Sequence, residues 1–174
     1  MKVYKVIITL ITLLLLLTGC NRGYDSLGKA VQSQWDDSIE VLNEDAENNL
    51  VYYVDQTQHI LGVYHFEGGE YSYDNEQSIG TNFESESGFP FFMSANHFDG
   101  AGNIIHGAIR TDEHTVEKFV ITYKNGESQE IEAVNNTFIA DFPSHLAINA
   151  EEFFGEVDNA FGYDEQGEIV ESLN

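Results

Sequence analysis

Two acidic turns and six histidines are the residues in this 174-residue chain whose types and spacing could do chemistry. Asp99-Gly100-Ala101-Gly102-Asn103 and Asp164-Glu165-Gln166-Gly167-Glu168 cluster the oxygen donors that a hard cation such as calcium takes. Neither has the alternating acidic ligands and closing Glu of an EF-hand loop. Asp, Asn and Gly are also what tight turns require. The expectation is therefore no cofactor, with calcium on Asp99, Asn103, Asp164 and Glu168 as the alternative. The histidines are His59, His65, His97, His106, His114 and His145, and none has His-Glu-x-x-His spacing. His59 and His65 would share one face of an unbroken strand, where a transition metal would also need a carboxylate. Hydrolytic chemistry has less to stand on. There is no Gly-x-Ser-x-Gly elbow, Ser144 and His145 are adjacent, and Glu67 with Glu70 is one of many pairs that thirty carboxylates produce. No catalytic residue is assigned, and an envelope hydrolase is the weakest alternative.

The one cysteine, Cys20, carries a sharper signal. Lys2 and Lys5 precede an apolar run from Val6 to Leu17, which ends in Leu17-Thr18-Gly19-Cys20. As a helix that run is roughly 18 Å long, short of the ~30 Å hydrocarbon core, so it reads as a signal h-region and not a span. The tetrapeptide resembles the lipobox of bacterial lipoproteins. The resemblance implies diacylglyceryl transfer to the Cys20 thiol and cleavage between Gly19 and Cys20. The protein would then sit on the outer face of the cell membrane, held by lipid. With its thiol blocked, the domain beyond must fold without cross-links.

Charge excludes one class of partner. The chain carries 7 Lys+Arg against 30 Asp+Glu, and removal of Lys2 and Lys5 leaves five cations and a net charge of −25. Nucleic acid needs a basic patch, and so does electrostatic adhesion to anionic lipid. Membrane affinity must come from the lipid on Cys20. An acidic surface solubilises; it also suits a cationic ligand.

These residues must be positioned by short elements. After a brief tether over residues 20–25, Asp25-Ser26 can cap a helix whose apolar face is Leu27, Ala30, Val31 and Trp35, ending near Trp35-Asp36-Asp37. From there the pattern is β. Runs at 39–42, 50–54 and 60–66 are rich in β-branched and aromatic residues, and Glu67-Gly68-Gly69-Glu70 turns back into Tyr71-Ser72-Tyr73. Residues 74–88 read as a long polar loop. Strands follow at 89–93, 104–109, 116–123, 129–134, 138–142, 157–163 and 168–170, with Asn125-Gly126 as the strongest hairpin signal. Asn135-Asn136-Thr137 reads as a turn. The fold class is mainly β: an antiparallel β-sandwich preceded by a helix and hairpin layer, divided as 1–19 signal, 20–25 tether, 26–88 helix plus β-hairpin subdomain and 89–174 sandwich.

The stretch from His106 to Val170 resembles bacterial immunoglobulin-like modules. The likeness lies in its Lys-Asn-Gly hairpin, its Asn-Asn-Thr-Phe segment and its closing Phe-Gly-Tyr-Asp-Glu-Gln-Gly-Glu-Ile-Val, without the Cys…Trp…Cys hallmark. The mature chain as a whole is similar to small lipoproteins of Gram-positive, Bacillus-like bacteria. The likeness lies in the order of a helix with Trp35, an Ile39-Glu40-Val41 strand, a Val51-Tyr52-Tyr53 strand and a Gly62-Val63-Tyr64 strand before the C-terminal module, and it implies an envelope protein without an assigned activity. The lipobox, the β-sandwich pattern and the lack of catalytic residues together lead to the expectation of a non-catalytic binding or accessory module, with an envelope protein, a wall glycan or a cationic ligand as partner. Tyr52, Tyr53, Tyr64, Tyr71 and Tyr73 fall on neighbouring expected strands. They either fill the core or, with Tyr52, Tyr64, Tyr71 and Tyr73 exposed, form a docking face.

Overall fold

The computed structural model describes residues 23–82, 90–146 and 149–173. Gly19, Cys20 and the segment before them lie outside the described residues, as do Phe89 and the end of the expected 74–88 loop. Helix α1 (Leu27–Gln32) opens the fold, with Leu27, Ala30 and Val31 buried. It ends earlier than the Trp35-Asp37 expectation because Gln32 takes over the chain. Its Nε2 donates to the Trp35 and Asp37 carbonyls (3.1 and 2.8 Å) and its Oε1 accepts from Ile39 N–H (3.1 Å). Ser26 stands at the N-cap position in extended backbone but its side chain makes no capping bond, while Asp25 pairs with Lys29 instead at 2.9 Å.

Four strands follow as a meander: β1 (Glu40–Asp45), β2 (Leu50–Val54), β3 (Gln58–Glu67) and β4 (Glu70–Asn82), paired in the order β1-β2-β3-β4. Part of the expected 74–88 loop is strand. Residues 74–82 continue β4 past an irregularity, where Tyr64↔Tyr73 pairing gives way to Gly62↔Ser78. As an edge strand β4 needs no apolar alternation, and polar residues there protect against edge-to-edge pairing. Seven further strands form two sheets. β5 (Phe91–Phe98), β6 (Gly102–Ile109) and β9 (Thr137–Asp141) pair in the order β5-β6-β9. β7 (Lys118–Tyr123), β8 (Ser128–Glu132), β10 (Val157–Tyr163) and β11 (Ile169–Leu173) pair as β11-β10-β7-β8. All pairings are antiparallel. The constant-type immunoglobulin arrangement puts its fourth strand beside its fifth. In this module the fourth strand, β8, pairs with the third, β7.

Turn chemistry explains the hairpins. Gly68 and Gly69 both have positive φ, as do Asn135 and Asn136. That is the two-residue turn whose twist matches flanking strands. At the Asn135-Asn136 turn the side chains also bolt layers together: Asn135 Nδ2 donates to the Leu42 carbonyl (2.6 Å) and Asn136 Oδ1 accepts from Val116 N–H (2.8 Å). A single turn of 3-10 helix at Ala150–Glu152 and a short α2 (Phe153–Glu156) were not expected from the sequence. Asn149 Oδ1 starts them by accepting from Glu152 N–H (3.0 Å), and Phe153 is fully buried.

The layers are four deep. One face of the first sheet (Val51, Tyr53, Ile60, Tyr64, Tyr73) packs on α1. Its other face (Leu50, Tyr52, Leu61, Val63) packs on Phe98, Ile104 and Ala108 of the β5-β6-β9 sheet. The far side of that sheet, through Phe91, Met93, Ile105 and Phe138, meets Phe119, Ile121 and Ala160 of the third. The helix and hairpin segment and the C-terminal strands thus share a core across the β2–β3 and β5–β6 surfaces.

Candidate functional site

Of the two readings of the tyrosines, core filling holds for Tyr52, Tyr53, Tyr64 and Tyr73, and the docking-face alternative does not. Tyr52 and Tyr53 are completely buried, Tyr64 and Tyr73 nearly so, and Tyr71 is half-buried. The cause is that both faces of the first sheet are covered, so neither parity of β2 points to water. On the helix side, Trp35 Nε1 donates to Tyr53 Oη (3.1 Å), whose hydroxyl lies 2.9 Å from that of Tyr73. Gly62 makes this possible, because a side chain there would overlap the Tyr73 ring and hydroxyl. Tyr64 Oη donates to Glu44 Oε1 (2.7 Å). Burial pushes the Tyr52, Tyr53 and Tyr64 hydroxyls well above the ordinary tyrosine range and raises that of Tyr73.

On the opposite side, a polar seam runs between the first two sheets. His106, in the middle of β6, is 2% exposed. Its Nε2–H donates to Asn96 Oδ1 (2.9 Å), which also accepts from Ser94 Oγ (2.9 Å). With the proton on Nε2, the Nδ1 lone pair is an acceptor without a hydrogen-bond partner among the described residues, and so is the Tyr52 hydroxyl as a donor. The His106 ring stands edge-on to Tyr52 and Phe92, each 5.8 Å away between centroids. Tyr52 in turn meets the His59 ring at 5.7 Å. The row His59–Tyr52–His106–Phe92 therefore runs between half-buried ends through a buried middle, Tyr52 and His106. Burial pulls the His106 imidazole down to about 3, since a second ring proton would have no acceptor. His59 is pulled down to about 4, first by burial and then by the positive charge of Arg110.

At its His59 end the row opens on a cleft of about 170 Å³, lined by Asp55, Gln58 and His59 of the β2–β3 turn region and by Arg110 beyond β6. Asp55 is committed to the turn, with Oδ1 accepting from the Thr57 and Gln58 amides (both 2.7 Å). Sequence reasoning found Tyr52 and His59 but for other roles, and missed His106, Asn96 and Arg110. An isolated His within the apolar run Ile104-Ile105-His106-Gly107-Ala108-Ile109 is the signal that points there.

The other expected ligands are scattered. His59 and His65 do share one face of β3, but His59 lies beneath Tyr52 while His65 is exposed. Asp99 is exposed, and Asn103 Oδ1 accepts from His97 Nδ1 (2.8 Å). Asp164 Oδ1 accepts from the Gln166 and Glu168 amides (3.0 and 2.9 Å), leaving the turn satisfied by its own backbone. Among the described residues no three His, Cys, Asp or Glu side chains gather as a metal would need. The one exposed aromatic patch beside the expected tyrosines is at the β3–β4 hairpin, where Phe66 is 55% exposed and its ring lies 4.6 Å from Tyr71. Compared with known proteins, the chain matches no protein-family model, no curated protein and no solved structure.

Proposed function

We propose that this protein is a lipoprotein on the outer face of the cell membrane, anchored through Cys20 after cleavage behind Gly19, and that it serves as a non-catalytic binding or accessory module of the envelope. The observation that carries the reading is the sequence Leu17-Thr18-Gly19-Cys20 at the end of a short apolar run. Tyr24, four residues after Cys20, is already hydrogen-bonded to β4. Among the described residues no helix is long and apolar enough to cross a membrane, and a net charge of −25 on the mature chain offers anionic lipid no attraction.

A non-catalytic role is favoured because the most perturbed imidazole, His106, is sealed between two sheets beyond the reach of a substrate. The small polar cleft at His59 and Arg110 is the ligand position this reading assigns. Fractionation of cells expressing Cys20→Ala tests the anchor: the variant is expected in the medium or unprocessed, and a processed, membrane-retained form refutes it. Crosslinked pull-down from detergent-solubilised envelopes tests the binding role, with Arg110→Ala as comparison. Failure to recover any reproducible partner counts against it.

A further inference from the structure

We propose that the tip of the β3–β4 hairpin is a membrane-docking surface, seated on the lipid headgroups by Phe66, Tyr71 and Tyr24; this rests on the lipoprotein reading of Cys20.

Tyr24 N–H donates to the Tyr71 carbonyl (2.7 Å) and Tyr71 N–H to the Tyr24 carbonyl (2.8 Å). This two-bond bridge pins the entering chain to the first residues of β4, directly beside the Glu67-Gly68-Gly69-Glu70 turn. From Cys20 to Tyr24 a chain reaches at most about 14 Å even when fully extended. An acylated Cys20 has its glycerol at the level of the headgroups, so Tyr24, and with it the base of the hairpin at Tyr71, cannot leave the membrane surface by more than that span.

The surface held there is suited to the location. Phe66 is among the most exposed large apolar side chains of the described residues, at 55%, and it stacks on Tyr71 rather than on the core. Tyr71 continues the stack to Tyr64 with rings 5.8 Å apart, so the patch is braced from beneath. A rigid aromatic body with a polar tip is what headgroup-level belts select. Gly68 and Gly69 keep the tip slim, with open space around both. The other strongly exposed large apolar side chains among the described residues, Val134, Phe154 and Ile169, belong to other elements than the β3–β4 hairpin.

Charge defines how the surface works. Glu67 and Glu70 flank the turn and both are exposed, so a free domain would be repelled by anionic vesicles. Attachment through Cys20 makes the contact intramolecular, at an effective concentration that a weak patch can exploit. The hairpin then sets the orientation of the domain, with the β3–β4 tip at the headgroups, and the β11-β10-β7-β8 sheet is the layer farthest along the stack from α1.

The test uses the full, acylated protein reconstituted in vesicles of phosphatidylcholine and phosphatidylglycerol carrying a lipid-borne quencher. Because Cys20 is acylated, a single introduced thiol takes an environment-sensitive fluorophore, at the hairpin in Glu67→Cys or at the β10–β11 turn in Glu165→Cys. Quenching is expected to be at least threefold stronger at position 67, and Phe66→Ser in the Glu67→Cys background is expected to halve it. Equal quenching at the two positions overturns the docking surface. The mass of the N-terminal peptide is read from the same sample. An unacylated Cys20 brings down the lipoprotein reading and this proposal together, whereas an acylated Cys20 with equal quenching brings down the proposal alone.

Discussion

Acidification should weaken this fold through His106, by an amount that the geometry of the seam determines. In the folded protein the imidazole is held neutral, with its value lowered to about 3, whereas the unfolded chain titrates near 6.5. Above pH 6.5 both states are neutral and the group costs nothing. As pH falls below 6.5 the unfolded state takes up a proton that the folded state refuses, so stability falls with pH until the folded value near 3 is reached. The loss at pH 5 is about 2 kcal/mol, and the full effect below pH 3 is about 5 kcal/mol. Relief of repulsion among the carboxylates opposes this, and His59 adds to it, so the absolute pH curve is a mixture. His106→Gln separates the contributions. Glutamine keeps a donor toward Asn96 Oδ1 but cannot titrate, and every other group cancels in the comparison. Urea unfolding at pH 7 and pH 5 is the assay. The wild-type midpoint should fall by about 1 M more than that of His106→Gln, taking a slope near 2 kcal/mol/M. Parallel shifts of the two proteins would show that the imidazole is protonated, or solvated, within the native interface, and the argument from burial would fail.

Four other outcomes follow from the same contacts. Tyr52→Phe removes a buried hydroxyl without a partner among the described residues, so stability should stay level or rise by up to about 1 kcal/mol; a loss of that size would mean the hydroxyl is satisfied. Tyr53→Phe deletes the oxygen shared by Trp35 and Tyr73, and should cost about 1–2 kcal/mol in the same denaturation assay. Gly107→Ala would drive a methyl group into the Phe92 carbonyl and the Phe138 ring, and should destabilise by about 2–3 kcal/mol, with near-wild-type stability refuting the close approach. Calcium at 1 mM should leave the melting temperature unchanged, because Asp164 already serves its own turn. A site of 10 μM affinity would add about 2.7 kcal/mol, an unmistakable rise.

What could be read in the chain was local, and what could not was a matter of which surfaces meet. Strands 50–54 and 157–163 were legible to the residue: the first is a compact apolar and aromatic run, and the second carries its Ala160 and Phe161 up to the Asp164-Glu165-Gln166-Gly167 turn that ends it. Asn135-Asn136 was legible as a turn because Asn tolerates the left-handed backbone that both positions adopt. Asn125-Gly126 marked a hairpin correctly, although only Gly126 takes positive φ, and the Gly126 N–H to Tyr123 carbonyl bond gives it a one-residue bulge. Asn149 with Glu152 three residues on was a capping signature that would have found the turn before Phe153. Edge strand 74–82 was misread because polarity there reflects exposure on an edge, a property of its neighbours and not of its residues.

The docking-face reading of the tyrosines turns on the same distinction. Alternation in a strand separates two faces but does not say what covers them, and Leu50-Val51-Tyr52-Tyr53 has no polar parity at all. Such a run means cover on both sides, whether the sheet is parallel or antiparallel. Gly62 across the sheet points the same way: a glycine in mid-strand marks a place where another group comes close, and here that group is the Tyr73 ring. Together they place Tyr52 and Tyr73 in the core. Phe66 and Tyr71 differ because they flank the turn, beyond the end of β2 and beyond its cover. Of the aromatic residues on the first sheet, those that remain available to a partner are therefore the ones nearest to Tyr24.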